Sequence, residues 1–166
     1  MFALKPISSD SVSSALAKAE RYRLLNEPEE AESICRDILS VAPGNHQALV
    51  TLILALTDQI GHDPHAFRNA LNTVDHLEAA YDRAYYAGIA WERRAKARHE
   101  GRSRGACNYV YDWLLKAMDL FEQAEPLRPP ENDDALLRWN ACARYLSRHK
   151  ELVQRPEEIP EAILLE

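Results

Sequence analysis

The sequence predicts an all-α protein built of stacked helical hairpins, and three observations carry that prediction. Apolar residues recur at three- and four-residue steps along most of the 166 residues, the spacing that lines one face of a helix. Proline, glycine and asparagine fall between those runs, where helices stop and start. Two helix ends also share one spacing, since Ala31, Cys35, Ile38 and Pro43 are separated as Ala117, Phe121, Ala124 and Pro129 are. A composition of 46% hydrophobic and 28% charged residues suits a folded domain, and five glycines are too few for a turn-rich β architecture.

Seven helices are expected. The first covers about residues 9–26, and the second, about 28–41, opens on Pro28, whose missing N–H is unpaired in a first turn anyway. Pro43-Gly44-Asn45 closes that pair, and Asn45 caps a third helix over about 46–60. Its run from Ala48 to Leu56 is apolar apart from Thr51, so this helix is buried on several sides; it is far shorter than a bilayer span of about 20 residues. Gly61-His62-Asp63-Pro64 is a stop, a cap and a proline start for a fourth helix over about 64–77. The next break has no Pro or Gly and falls near Asp82, opening a fifth helix that runs to about His99. Gly101-Arg102-Ser103-Arg104-Gly105 interrupts it, and a sixth helix spans about 106–125. After the turn Arg128-Pro129-Pro130-Glu131-Asn132 comes a seventh, over about 133–148. Residues 149–166, with Pro156, Pro160 and five glutamates, read as an extended tail whose Ile163-Leu164-Leu165 end docks back on the body.

The shared spacing continues beyond each proline, where Asn45-His46-Gln47-Ala48-Leu49-Val50 aligns with Asn132-Asp133-Asp134-Ala135-Leu136-Leu137 after one extra turn residue. Small residues one helical turn apart let a helix pack closely on its neighbour, and the proline beyond ends the helix so that the chain reverses. On these residues the chain resembles the tetratricopeptide repeat family, whose units of about 34 residues pair two helices and stack. In a first unit, about 12–45, Ala19, Tyr22, Ala31 and Pro43 match the small, aromatic, alanine and proline positions, while Cys35 and Ile38 replace an aromatic and an alanine. A second, about 46–79, keeps Leu49, Leu52, Leu56, Ala66 and Ala70 but lacks the closing proline. In a third, Gly88 and Trp91 echo Ala19 and Tyr22, and Ala117, Phe121, Ala124 and Pro129 follow. From Tyr22 to Ala31 is 9 residues and from Trp91 to Ala117 is 26, so the third hairpin holds 17 extra residues. The resemblance implies an α-α superhelix of about three hairpins plus a capping helix over residues 1–148, with the third hairpin elongated and residues 149–166 as tail.

The resemblance further implies a protein–protein interaction module, an adaptor, assembly factor or chaperone-like protein, that holds a peptide in the groove lined by the first helix of each pair. The matching positions are Leu16, Glu20 and Arg23, then Val50, Leu54 and Asp58, then Tyr85, Ile89, Glu92 and Arg93, with Arg144 extending the row. Leu16, Glu20, Val50 and Leu54 stand where paired Asn and Lys/Arg would form a carboxylate clamp, so a chaperone-tail ligand is disfavoured. Tyr81, Tyr85, Tyr86, Trp91, Tyr109, Tyr111 and Trp113 crowd the elongated hairpin, mostly as core, and those left exposed are the natural interface anchors.

A second function class stays open. Arg93, Arg94, Lys96, Arg98, Arg102 and Arg104 face only Glu92 and Glu100 within residues 91–104, a local formal charge of +4 in a chain of −6. Such a segment either ends a helix as a solvated complement to its dipole or takes an acidic ligand or nucleic acid. The overall charge disfavours nucleic acid. No catalytic set, cofactor motif or metal site is expected: His62-Asp63-Pro64-His65 lacks completing ligands, and His99-Glu100 lacks a second histidine at metalloprotease spacing. Three cysteines without a CxxC spacing, and an amino terminus without a signal-peptide pattern, lead to the expectation of a cytoplasmic protein, and an open solenoid end or exposed hairpin leaves a homo-oligomer open.

Overall fold

Local turn chemistry sets the helix boundaries. In the computed structural model, which describes residues 2–101 and 107–152, these are α1 (Val12–Leu24), α2 (Pro28–Val41), α3 (His46–Asp58), α4 (Ala66–Val74), α5 (Ala80–Glu100), α6 (Cys107–Ala124) and α7 (Asp134–Arg148). No strand occurs among the described residues. At the end of α1, Asn26 takes the left-handed conformation (φ 61°), and the amides of Asn26 and Glu27 return to the carbonyls of Arg23 and Tyr22. That double closure satisfies carbonyls the helix end leaves unpaired, with asparagine in the place usually held by glycine. Asn45 caps α3 as expected, its side chain accepting from the Ala48 amide at 2.9 Å. The extra residue in the later proline turn is absorbed at Glu131, which also sits at positive φ (63°).

The fourth helix and the tail depart most from expectation. The fourth helix is shorter at both ends, because Asp63 spends its carboxylate on the His65 amide in a local turn and Pro64 stays outside the helix. At its other end the chain leaves the helix so that Leu77 inserts into the core, and Arg83 donates to the carbonyls of Leu77 and Glu78 at 2.7 and 2.6 Å. The other difference is in the tail, whose first residues belong to the body. Residues 149–152 form a turn, closed by the Leu152 amide on the His149 carbonyl, and bury Leu152. Residues 153–166, including the expected docking end, lie outside the described residues.

Each helix packs on the next, and α1 also meets α3, α3 meets α5 and α5 meets α7. The first helices of the hairpins therefore lie side by side in one layer, with α2, α4 and α6 behind. α3 is buried on several sides, from Ala48 to Thr57. The repeated spacing marks the seam: Ala31, Cys35, Ile38, Ala117, Phe121 and Ala124 are all fully buried. At 21 and 18 residues, α5 and α6 exceed the 13 and 14 of α1 and α2, which accommodates the extra length of the third hairpin. Phe121 stands where the first hairpin has Cys35, and the facing position is correspondingly Gly88 instead of Ala19. A Cβ on Gly88 would lie 2.5 Å from the Phe121 ring. No described helix is long and apolar enough to cross a membrane.

Candidate functional site

The layer of first helices carries a row of charges that pair with one another. Arg23 on α1 donates to Asp58 on α3 at 2.8 Å, and Arg93 on α5 donates to the other Asp58 oxygen, to the Thr57 hydroxyl and to the Leu54 carbonyl. Arg23 to Asp58 and Asp58 to Arg93 are both 35 residues, so one position of each unit meets its counterpart in the next. Burial lowers the affinity of the Arg93 guanidinium for its proton, and the neighbouring Asp58 carboxylate opposes that effect. Farther along, Glu92 is 1% exposed and receives Lys96 of its own helix and Arg138 of α7.

These pairings revise the expected groove contacts. Asp58, Glu92 and Arg93 pair with neighbouring helices, which holds the layer in register, and the Tyr85 ring packs against Phe121 of α6. Ile89, 2% exposed, is core and has no face for a partner, because α5 is sandwiched between α3, α4, α6 and α7 and its middle turns point inward. Arg144 is exposed on α7. Lys96, expected among the anion-binding cations, is turned to Glu92 and lies 5.4 Å from the Tyr145 ring centroid. Arg102 and Arg104 lie outside the described residues.

Arg94 has a different environment. Its guanidinium carbon is 4.1 Å from the centroid of Phe67 on α4 and 4.1 Å from that of Trp113 on α6, with Trp91 at 5.4 Å. Phe67 meets Trp91 edge to face at 4.8 Å, so the slot that holds the cation has packed walls. Stacking offsets part of the desolvation, which lowers the Arg94 guanidinium from its ordinary range. Rings engage only the faces of a guanidinium and leave its in-plane N–H groups to hydrogen bonds. Those of Arg94 reach no acceptor among the described residues.

Arg94 lines a cleft of about 560 Å³ between the α3–α4 turn, α4, α5 and α6. Arg68, Arg98 and His65 line the same cleft, with Asp63 as its one carboxylate among the described residues. That carboxylate is already bonded to the His65 amide at 2.8 Å. Arg68 lies 3.3 Å from His65 Nδ1, and Arg98 is exposed with no acceptor among the described residues. Three guanidinium groups thus converge on a partly enclosed space floored by aromatic rings. Such a site complements a planar carboxylate or another oxyanion, which guanidinium binds through paired N–H donors.

Arg94 and Arg98 were identifiable from the basic run, but Arg68 and Phe67 were not, because Arg68 is the single charge of α4, and His65 before that helix was considered only as an incomplete metal ligand. Of the other aromatics of the hairpin, Tyr81 is buried, Tyr85, Tyr86 and Tyr111 are half-buried around the same core, and Tyr109 is exposed. His62 points to Glu29 at 3.2 Å, apart from His65. Compared with known protein families, curated proteins and solved structures, the chain has no significant match.

Proposed function

We propose that this chain is a tetratricopeptide-like interaction module that binds an acidic segment of a partner protein through the arginine–aromatic cleft of its elongated third hairpin. The observation that carries the reading is Arg94, held between Phe67 and Trp113 with its N–H edge unspent at a cleft that two more arginines line. A cation fixed before binding loses little entropy when it pairs. The repeat-like register of Arg23, Asp58 and Arg93, and the serial packing of hairpins, support the family resemblance. The mutual pairing of those charges makes the layer of first helices the frame and the third hairpin the contact surface. Protein carboxylates suit the site better than nucleic acid, because a net charge of −6 disfavours the approach of an extended polyanion.

Titration of the full chain with Asp/Glu-rich peptides, followed by tryptophan fluorescence and calorimetry at low and moderate salt, tests the proposal. Binding is expected to weaken with salt and to fall roughly tenfold for each of Arg94→Gln, Arg68→Gln and Arg98→Gln, since a charge-assisted hydrogen bond contributes about 1.5–3 kcal/mol. Arg68 and Arg98 lie outside the ring stack, so their variants report on the ligand and not on folding. The absence of binding to acidic peptides at low salt, equal binding of glutamine-substituted peptides, or preference for an oligonucleotide would each overturn it.

A further inference from the structure

We propose that His99, His149 and Glu151 form a binding site for a zinc-type divalent metal ion, which clamps the end of α7 to the end of α5. The three residues come from places far apart in sequence. His99 lies in the last turn of α5, His149 directly follows α7, and Glu151 is in the turn beyond it. Their candidate ligand atoms all lie within 4.8 Å of one another. His99 Nε2 is 3.3 Å from Glu151 Oε1, and His149 Nδ1 is 3.0 Å from the same oxygen. Zinc bonds of roughly 2.0–2.2 Å at tetrahedral angles place neighbouring donor atoms about 3.3 Å apart, so the two edges are near the size that coordination requires. Two imidazoles and one carboxylate, with the fourth position open to water, are a ligand set suited to that class of ion.

The surroundings hold the donors in place. His99 Nδ1 is 2.6 Å from the Tyr145 hydroxyl, the outer hydrogen bond that orients a metal-binding histidine. In the tautomer whose Nδ1–H donates to that hydroxyl, Nε2 turns its lone pair towards the Glu151 oxygen. Two acceptors then face each other at 3.3 Å, and a cation between them removes the conflict. The two imidazole rings stand nearly perpendicular at 84°, with centroids 4.7 Å apart. Glu151 is positioned by the backbone: the His149 amide returns to Tyr145, the Leu152 amide returns to His149, and Leu152 is buried in the core. His99 and His149 are half-buried and Glu151 is exposed, so an ion reaches the site from solvent. This site is separate from the arginine cleft, and the two proposals stand or fall independently.

The test uses the untagged full chain, stripped with a chelator and titrated with Zn²⁺ by calorimetry and with Co²⁺ by visible absorption. One ion per chain is expected, with the intense cobalt bands of four-coordinate geometry and a higher melting temperature when Zn²⁺ is present. His99→Ala, His149→Ala and Glu151→Gln are each expected to lower affinity at least tenfold, and His76→Ala, remote on the chain, is expected to leave it unchanged. Tyr145→Phe keeps all three donors and is expected to weaken binding roughly tenfold through loss of the outer hydrogen bond. Glu151→Gln alters an exposed side chain, which keeps the test valid if a histidine variant fails to fold. No uptake of either metal overturns the proposal, as does uptake that survives Glu151→Gln with unchanged affinity. In those cases the cluster is a carboxylate hydrogen-bonded to two histidines.

Discussion

Gly88 lies in the middle of α5, where glycine normally costs about 1 kcal/mol relative to alanine, so Gly88→Ala would stabilise an open helix. Here the added Cβ would stand 2.5, 2.8 and 3.0 Å from three Phe121 ring atoms, whereas carbon atoms pack at about 3.5–4.0 Å. Phe121 is 1% exposed and close-packed, so the ring has to move by about 1 Å or the two helices separate. Overpacking of this kind costs about 1–3 kcal/mol, which exceeds the propensity gain and leaves a net loss of about 1 kcal/mol. Thermal melting is expected to fall by about 2–4 °C. In a Phe121→Leu background the clash is relieved and Gly88→Ala is expected to raise the melting temperature, giving a coupling of about 2 kcal/mol in a double-mutant cycle. If Gly88→Ala stabilises both backgrounds, or destabilises both equally, the packing argument is wrong.

Three further outcomes are expected. Glu92→Gln leaves Lys96 and Arg138 facing each other without their carboxylate; because both cations reach solvent, the loss in chemical denaturation is about 1–3 kcal/mol instead of that of a fully buried pair. An unchanged midpoint would exclude a structural role for this cluster. Glu131→Gly removes a left-handed glutamate costing about 1–2 kcal/mol, and after the added chain entropy of glycine it is expected to raise stability by about 0.5–1 kcal/mol. A fall in melting temperature would contradict that strain. Burial pushes the Tyr81 and Tyr86 hydroxyls from 10.0 up to about 12, and the Cys35 and Cys142 thiols from 9.0 up to about 12. Their neutral forms are favoured by folding, so this stability is complete below pH 9 and is lost as pH rises to 12. The chemical-denaturation midpoint followed by helical circular dichroism should fall as pH rises through that window; a midpoint unchanged between pH 9 and 12 would refute it.

Helix number and type were legible because each run carries its own apolar period and its own punctuation. The boundary between α4 and α5 was harder to place, since no Pro or Gly marks it and the chain leaves the helix to bury Leu77. The row of Arg23, Asp58 and Arg93 was legible by repeat position, but its use was not. Sequence places a charge on a face, whereas the distance to the next helix determines whether the charge meets a partner or an opposite charge. Ile89 illustrates the same limit, because the long α5 is covered on several sides and a position that is open in a shorter repeat becomes core.

By itself the sequence determined the all-helical class, the seven elements, the elongated third hairpin and the buried seam, all of which follow from local periodicity and spacing. Tertiary structure alone decided which side chains of the candidate sites meet. Phe67 and Trp113 meet on Arg94 across 46 residues, and His99 meets His149 and Glu151 across about 50, because α5 packs against α4, α6 and α7. Those meetings depend on how helices cross in space, and no local period along the chain records them.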